Sequence, residues 1–538
     1  MIQAKISQRR LASWSTIGLL GLLACLLHGG ASLSVRASEV ELLDSSIVCE
    51  NALTFARGPA ARFGHTVNGR THQQTPLVTY LGYQYVTLVD ASRRVCIGRR
   101  KLPTGQWQVI QFADHRFQTN DSHNTSVIGI CDKDGTIHMA FDHHASPLNY
   151  RVSKQGAAHD PDSVTWNADL FGEVQHSLGS VQTDVRVTYP RFISSPNGNL
   201  MLYYRAVTSG NGDGMIEEYN GDTHAWTPEL GKFISRDIGT YTFAGNTSDY
   251  RCPYVNSVSY AGNRLHVSWV WRDRFERTSV VNQHDLCYAY SDDHGRTWHN
   301  SAGKVIGKTG VEFIHLDTPG LVVAPIDSRS GLTNQNTHYA YCDGRVHVVM
   351  QHRDGEAGTK RYHHYWRSSE GVWDHQVLPF AGGRPKLVGT DEHSFVLVYR
   401  DDDVDGHGQR LCIAEAHPNA DQTGWIWKKV ALPQHDSVLG EPVLDLDRWE
   451  DTQVLSVYLQ EEPARMVSTR HPEPIDGKPS PLKVVDYRMS GMTGHVVVSH
   501  VAKQPEAEPE HHPVETREVS EPAVEIARTT MPMKAGNE

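Results

Sequence analysis

The stretch "GTIHMAFDHH" (Gly135–His144) is a turn glycine, a short apolar run and an abrupt ending in charge and imidazole, and the plan recurs along the chain. "GNLMLYYRAV" (Gly198–Val207), "NRLHVSWVWRD" (Asn263–Asp273), "GRVHVVMQHRD" (Gly344–Asp354), "HSFVLVYRDDD" (His393–Asp403) and "TQVLSVYLQEE" (Thr452–Glu462) repeat it. An earlier unit, "YQYVTLVDASRRVCIGRRKLPTGQWQVIQF" (Tyr83–Phe112), supplies a seventh copy. Runs rich in Val, Tyr and Trp between Asn-Gly and Asp-Gly pairs read as strands, and no long 3.6-residue pattern competes between about Leu43 and His500. Seven such units predict an all-β chain, a seven-bladed β-propeller of four-stranded antiparallel blades, in which repetition about an axis leaves only short protected edges. Two sandwiches would fill the same length, but no linker separates two halves.

"SDDHGRTW" (Ser291–Trp298) adds a fold signal without chemistry. It has the S-x-D-x-G-x-T-W form of the Asp-box turn of sialidase-type propellers. Asp293 is expected to accept backbone N–H bonds inside the turn, Gly295 to supply the tight φ, and Trp298 to pack between blades.

Both ends of the chain fall outside this pattern. Arg9 and Arg10 precede an apolar run from Ile17 to Leu27, and "SVRASE" offers small residues for cleavage near Ala37. Residues 1–37 are therefore expected to be an export signal, leaving a secreted or periplasmic protein. Cys25 suggests lipoprotein anchoring as the alternative, although the apolar run continues past it. No other segment is apolar enough to span a bilayer. Residues 501–538 are charged, Pro-broken and without aromatic residues, and are expected to form a disordered tail. Loss of residues 1–37 removes four basic residues and no acid, so the formal charge moves from −11 to −15. This disfavours a general attraction to nucleic acid, and an anionic ligand would have to meet basic residues gathered in a cleft.

In a propeller the ends of equivalent strands converge on one face. The repeats thus place His143, Arg205, Arg272, Arg353 and Arg400 on a common rim, and His123 opens the strand that runs beside the one ending at His143. Tyr189 and Arg191 in "VTYPRF", and Tyr203 and Tyr204 before Arg205, join them from the next unit. A histidine at a strand end is usually a hydrogen-bonded surface residue, but this convergence is chemically specific. Imidazoles and a tyrosine move protons, and an arginine fork holds a carboxylate. The set lacks the paired carboxyl groups that glycosidases place across a scissile bond. It does suit β-elimination from a uronate, which needs a cation on the carboxylate, a base for the C5 proton and an acid for the leaving O4.

Taken together, "SHNTSVIGI", "DGTIHMAFDHHASPLNYR", "YPRF", "YYR", "YRCPYV" and "NQHDLCYAYSDDHGRTW" resemble the secreted seven-bladed propeller polysaccharide lyases that cleave ulvan, a sulfated rhamnose–uronate polymer. The resemblance runs from about Thr79 to Tyr487 and is strongest from His123 to Trp298. It implies a lyase giving unsaturated uronyl ends, with His123, His143, Tyr189 and Arg205 as the catalytic set and Tyr250 as a neighbour. Tyr250, with Arg272 and Arg353 from the shared rim, is expected to bind substrate, and an anionic polysaccharide is the expected partner. Whether a histidine or Tyr189 moves the proton is left open. Three rivals remain: a propeller enzyme acting on rhamnose–glucuronate linkages, a sialidase-like hydrolase, and a carbohydrate-binding propeller with no chemistry.

Seven cysteines follow the export signal, an odd number in a chain too long to need a disulfide framework. His284 and Cys287 in "NQHDLCY", with Cys252 and Cys342 near neighbouring strands, are expected to hold a structural Zn²⁺ unless they are simply buried strand residues. No catalytic cofactor is expected, since arginine and histidine can neutralise the carboxylate.

Overall fold

The computed structural model describes residues 39–490, apart from 55–65, 71–74, 119–120, 180–185, 276–280, 356, 392–393, 402–408, 435, 464–465, 469–470 and 475–478. The expected export signal and C-terminal tail lie outside the described residues.

Each repeat forms the second strand of an antiparallel sheet. Blade 1 is Leu77–Tyr80, Tyr83–Val89, Arg94–Lys101 and Gln108–Arg116. Blade 2 begins with Ser126–Ile130, Ile137–Phe141 and Tyr150–Val152, and a bridge from Ser153 to Phe171 marks its outer edge. Blade 3 is Val187–Ser194, Leu200–Thr208, Asn211–Asn220 and Ala225–Ile234. Blade 4 runs from Arg251–Ala261 through Arg264–Arg274 and Val281–Ser291 to Thr297–His299. Blades 5 and 6 follow, with second strands Val346–Arg353 and Ser394–Arg400. Blade 7 takes Val443–Leu444, Val454–Gln460 and Leu482–Ser490 from the C-terminal part of the propeller and its outer strand, Glu39–Cys49, from the N-terminal part. Val40 pairs with Met489 and Ser45 with Val485, so the two ends of the propeller segment close one sheet.

Apolar side chains pack between consecutive blades all the way round. Tyr85 and Ile97 of blade 1 meet Ile128 and Met139 of blade 2, and Met201 and Ile216 of blade 3 meet Val267 and Trp298 of blade 4. The ring closes where Tyr458 and Val484 of blade 7 meet Val86 and Cys96 of blade 1. Each large aliphatic side chain buried this way contributes about 1.5–3 kcal/mol. The Asp-box turn behaves as its sequence implies. Asp293 accepts from the Thr297 amide at 2.7 Å, Gly295 has φ +80°, and Trp298 stacks on Phe233 of blade 3 at 4.5 Å.

Because neighbouring strands are antiparallel, first strands begin and second strands end on one face. Blade 2 departs from its neighbours at that face. Its second strand stops at Phe141, and the next three-residue strand, His144–Ser146, adds to the inner edge of blade 3, with His144 opposite Thr188.

Candidate active site

The crossing from blade 2 to blade 3 determines which histidine enters the site. Asp142 takes a left-handed φ of +65°, a conformation that costs a non-glycine residue about 1–2 kcal/mol. Hydrogen bonds hold it there: its carboxylate accepts from Asn124 Nδ2 at 2.7 Å and meets His115 Nε2 at 3.0 Å. After this kink His143 turns inward. It is 1% exposed, its Nε2 accepts from the Asn149 amide at 2.8 Å, and burial pushes its pKa down to about 3.

His144 takes the place expected of His143. Its ring stacks on His123 at 4.1 Å with 23° between planes, and the Nδ1 atoms of both rings meet the two carboxylate oxygens of Asp121. A carboxylate that accepts from both Nδ1–H groups fixes both tautomers and puts the lone pair of each ring on Nε2, which in His144 meets Ser209 Oγ at 2.9 Å. Burial lowers the His123 pKa to about 4 against the pull of Asp121, so the ring is neutral near pH 7. Asp121 lies far below the ordinary carboxylate range, because the hydrogen bonds from the two histidines outweigh its burial.

Tyr189 faces this pair across the blade boundary, with ring centroids 6.0 Å from His123 and 6.2 Å from His144. It too has a left-handed φ, +55°. Thr188 pairs with Arg205 and Arg191 with Tyr203, so Tyr189 and Pro190 form a bulge opposite Tyr204. Bulges re-aim side chains, and Pro190 has no ladder hydrogen to lose. Burial, with the nearby Tyr254, raises the Tyr189 pKa well above that of free tyrosine and keeps the phenol protonated.

Arg205 is 1% exposed. Its guanidinium lies 4.8 Å from the ring centroids of both Tyr189 and Tyr254, and its Nη1 reaches Cys252 Sγ at 3.8 Å. It makes no ion pair with a carboxylate among the described residues. A cavity beside it is lined by Tyr189, Arg191, Tyr203, Arg205, Pro253, Val255 and Gln335. Arg191 is also buried, and its Nη1 donates to Ser257 Oγ at 3.2 Å. Arg272 donates to the Tyr254 hydroxyl at 2.8 Å. Gly210, at φ +91°, makes room for it, since a Cβ there would lie 3.0 Å from Arg272 Nη1 and 3.8 Å from the Tyr250 ring. Farther round, Arg384 Nη1 donates to Glu441 at 2.9 Å, and the same carboxylate lies 3.8 Å from Arg70.

Of the residues expected from sequence, the structure gathers His123, Tyr189, Arg205, Arg272 and the half-buried Tyr250. It replaces His143 by His144. Arg353 shares the face two blades beyond Arg205, and its Nη2 donates to the Arg329 carbonyl at 2.9 Å. Arg400 is turned to Gln409 and the Gly440 carbonyl. Asp121, His144 and Tyr254 were missed by the sequence reading. The sole sequence cue for the first two was the spacing of "DSHN" and the doubled histidine in "DHH", which does not say which imidazole faces the cleft.

The expected zinc ligands do not assemble. His284 contacts Asp273 and Asp285 at 2.9 Å each through its two ring nitrogens, Cys252 lies against Arg205, Cys287 is buried within blade 4, and Cys342 is exposed. Cys252 and Cys287 also sit on the two outer members of a three-strand set, opposite Arg272 and Trp269 respectively, which separates them along the central strand as well. Among the described residues, Asp121, His123 and His144 bring ligand atoms within 4.8 Å of one another, as do His352, Asp354 and His363 in blade 5.

Residues 83–380 match the model of the BNR repeat-containing family. The chain is 24% identical over 356 residues to the long-isoform ulvan lyase of Pseudoalteromonas sp. (strain PLSV), a match covering 58% of this chain and 34% of that protein. It is 25% identical over 282 residues to the short-isoform ulvan lyase of Alteromonas sp. (strain LOR), covering 45% and 52% respectively. The chain thus spans about a third of the long relative and half of the short one. Among solved structures it is similar to polysaccharide lyase Uly1, with a TM-score of 0.61, 18% identity, and coverage of 84% of this chain and 99% of that one. A PL25 ulvan lyase bound to -[GlcA(1-4)Rha3S]- gives a TM-score of 0.56 at 11% identity, covering 82% and 95%. At these identities the structural likeness establishes the fold. The family match extends over more than half of the sequence, and the chain belongs to the BNR repeat-containing family.

Proposed function

We propose that the protein is a polysaccharide lyase that cleaves a uronate-containing sulfated polysaccharide of the ulvan type by β-elimination, leaving an unsaturated uronyl end. One observation carries this reading. A buried arginine with no carboxylate partner among the described residues faces a tyrosine and a histidine pair, in a set without the two carboxyl groups of a glycosidase. The names of the curated relatives point to the same polymer.

In this mechanism the uronate carboxylate lies on Arg205, whose charge stabilises the electron density that builds up when the C5 proton leaves. His123 takes that proton at Nε2, its Nδ1–H held by Asp121. The electron pair forms the C4–C5 double bond, the C4–O4 bond breaks, and Tyr189 donates its phenolic proton to the departing O4. The neutral imidazole and the protonated phenol are the forms these roles require near pH 7. His144 holds His123 in place by stacking and sharing Asp121. Arg272, Arg191 and Arg384 supply positive charge for the other anionic groups of the polymer. Arg205 supplies the cation the reaction needs, so no catalytic cofactor is assigned. Residues 1–37 would export the protein to a polymer too large to be taken up whole.

Ulvan incubated with the purified protein should gain ultraviolet absorbance as the conjugated uronate forms, together with new reducing ends. New reducing ends without absorbance would mean hydrolysis. Binding with neither product would mean a sugar-binding propeller, and either result would overturn the proposal.

A further inference from the structure

The geometry points to a metal site in blade 5, on the cleft face but remote from the catalytic set, where His352, His363 and Asp354 bind a divalent cation of the zinc type. The three residues come from two adjacent strands. Val346–Arg353 ends in His352 and runs into Asp354, and Lys360–Arg367 carries His363. The His352 and His363 rings lie 3.5 Å apart with 20° between planes, and one ligand atom from each of the three residues falls within 4.8 Å of the others.

Each imidazole has an outer nitrogen hydrogen-bonded to a side chain of the blade and an inner nitrogen against a main-chain carbonyl. His352 Nε2 meets the Tyr365 hydroxyl at 2.8 Å, and His363 Nδ1 meets His375 Nε2 at 2.9 Å. Metal-binding histidines show this arrangement, in which an outer hydrogen bond sets the tautomer and ring direction. The inner nitrogens meet main-chain carbonyls, His352 Nδ1 that of Arg353 at 3.0 Å and His363 Nε2 that of His352 at 3.2 Å, and His363 Nε2 lies 3.8 Å from Asp354 Oδ1. On binding, each ring's proton would move from its inner to its outer nitrogen, where the Tyr365 hydroxyl and His375 Nε2 can accept it, and the stacked rings would splay so that the inner lone pairs converge at about 2.0–2.1 Å from the ion. Asp354 is 69% exposed and can move to close the site. Two imidazoles and one carboxylate leave a fourth position for water, a donor set suited to zinc and poorly suited to calcium or magnesium.

The test is equilibrium dialysis of the metal-stripped full chain against Zn²⁺, with bound zinc quantified for wild type, Asp354→Asn, His363→Gln and His123→Ala. About one zinc per chain should bind at blade 5. Asp354→Asn should weaken that binding at least tenfold, His363→Gln should abolish it, and His123→Ala should leave it unchanged. Asp354 is exposed, so its variant reports on binding even if His363→Gln fails to fold. Without added metal, Asp354→Asn should retain wild-type ulvan cleavage. Absence of zinc from the wild type, equal binding by Asp354→Asn, or loss of the zinc in His123→Ala alone would overturn the proposal, the last by moving the ion to the catalytic cluster.

Discussion

The seam between blades 7 and 1 and the cleft between blades 2 and 3 both bury arginine, and they treat its charge in opposite ways. At the seam, Arg100 and Arg448 each reach Asp486 at 2.8 Å, Arg100 also reaches Asp44 at 2.6 Å, and Ser456 donates to Asp486 at 2.6 Å. In the cleft, Arg205 is equally buried but is surrounded by aromatic rings and a thiol. A buried ion pair balanced within the protein serves the fold, whereas a buried cation left without its anion is reserved for a ligand. Breaking the seam should have the largest effect. Asp486→Asn takes the ion-pair partner from Arg448 and leaves Arg100 only Asp44; it should cost about 3–5 kcal/mol, visible as a lower unfolding midpoint in urea or loss of soluble protein. Arg205→Met should behave oppositely, with a melting temperature equal to or above wild type while ulvan cleavage falls about 10²- to 10³-fold or more. If Arg205→Met unfolded the protein while Asp486→Asn left it intact, the contrast would be reversed.

Within the cleft the same distinction separates adjacent histidines. His144 stacks on His123 and shares Asp121, whereas His143 is enclosed in blade 2. His123→Ala should lower the rate about 10²- to 10⁴-fold with the fold retained, and His144→Ala, which removes the stack that holds His123, should lower it less. His143→Ala should mainly lower stability, leaving kcat of the folded fraction within a few-fold of wild type. Asp121→Asn should lower kcat by up to about 10⁴-fold, because the amide accepts one Nδ1–H but presents its N–H to the other ring and turns that ring to the wrong tautomer. A loss of rate in His143→Ala with stability unchanged would restore the sequence-based assignment.

Much of this was legible in the sequence because strands announce themselves locally. Seven turn-strand units, the Asp-box and the convergence of strand ends follow from period-two patterning and repetition, and together with the family resemblance they singled out His123, His143, Tyr189 and Arg205. The identity of the second histidine depends instead on a backbone event that patterning does not record. Asp142 adopts φ +65°, and the next short strand joins the neighbouring blade. A shift of one residue along a strand reverses the face of a side chain, so "DHH" could not be resolved by periodicity. The expected zinc ligands are dispersed for a related reason. Spacing along a strand brought His284 and Cys287 into one segment, but pairing with Asp273 and Asp285 engages His284 at both ring nitrogens. The blade 5 histidines lie on neighbouring strands, and their proximity depends on register.

The smallest expected effect comes from histidines buried in the blades away from either charged region. His138 meets the Tyr150 and Thr136 hydroxyls, His266 the Tyr288 hydroxyl, and His338 the hydroxyls of Ser259 and Ser268. With no carboxylate in hydrogen-bond contact to hold an added proton, burial lowers His138 and His266 to about 3, and lowers His338 well below the ordinary histidine value. In the unfolded chain each should titrate near 6.5. Below that pH the unfolded state binds protons that the folded state refuses, so stability is fully present above about 6.5 and declines as pH falls toward the folded values. Each histidine can withdraw about 1.4 kcal/mol per pH unit over that interval. His284, flanked by Asp273 and Asp285, has the opposite sign: its pKa is raised, and its contribution is complete below about 6.5 and lost as pH rises through the folded value. The depressed histidines outnumber the raised His284 and predict a lower melting temperature at about pH 5 than at about pH 7, and a flat or rising profile on acidification would show that these side chains are protonated in the folded blades.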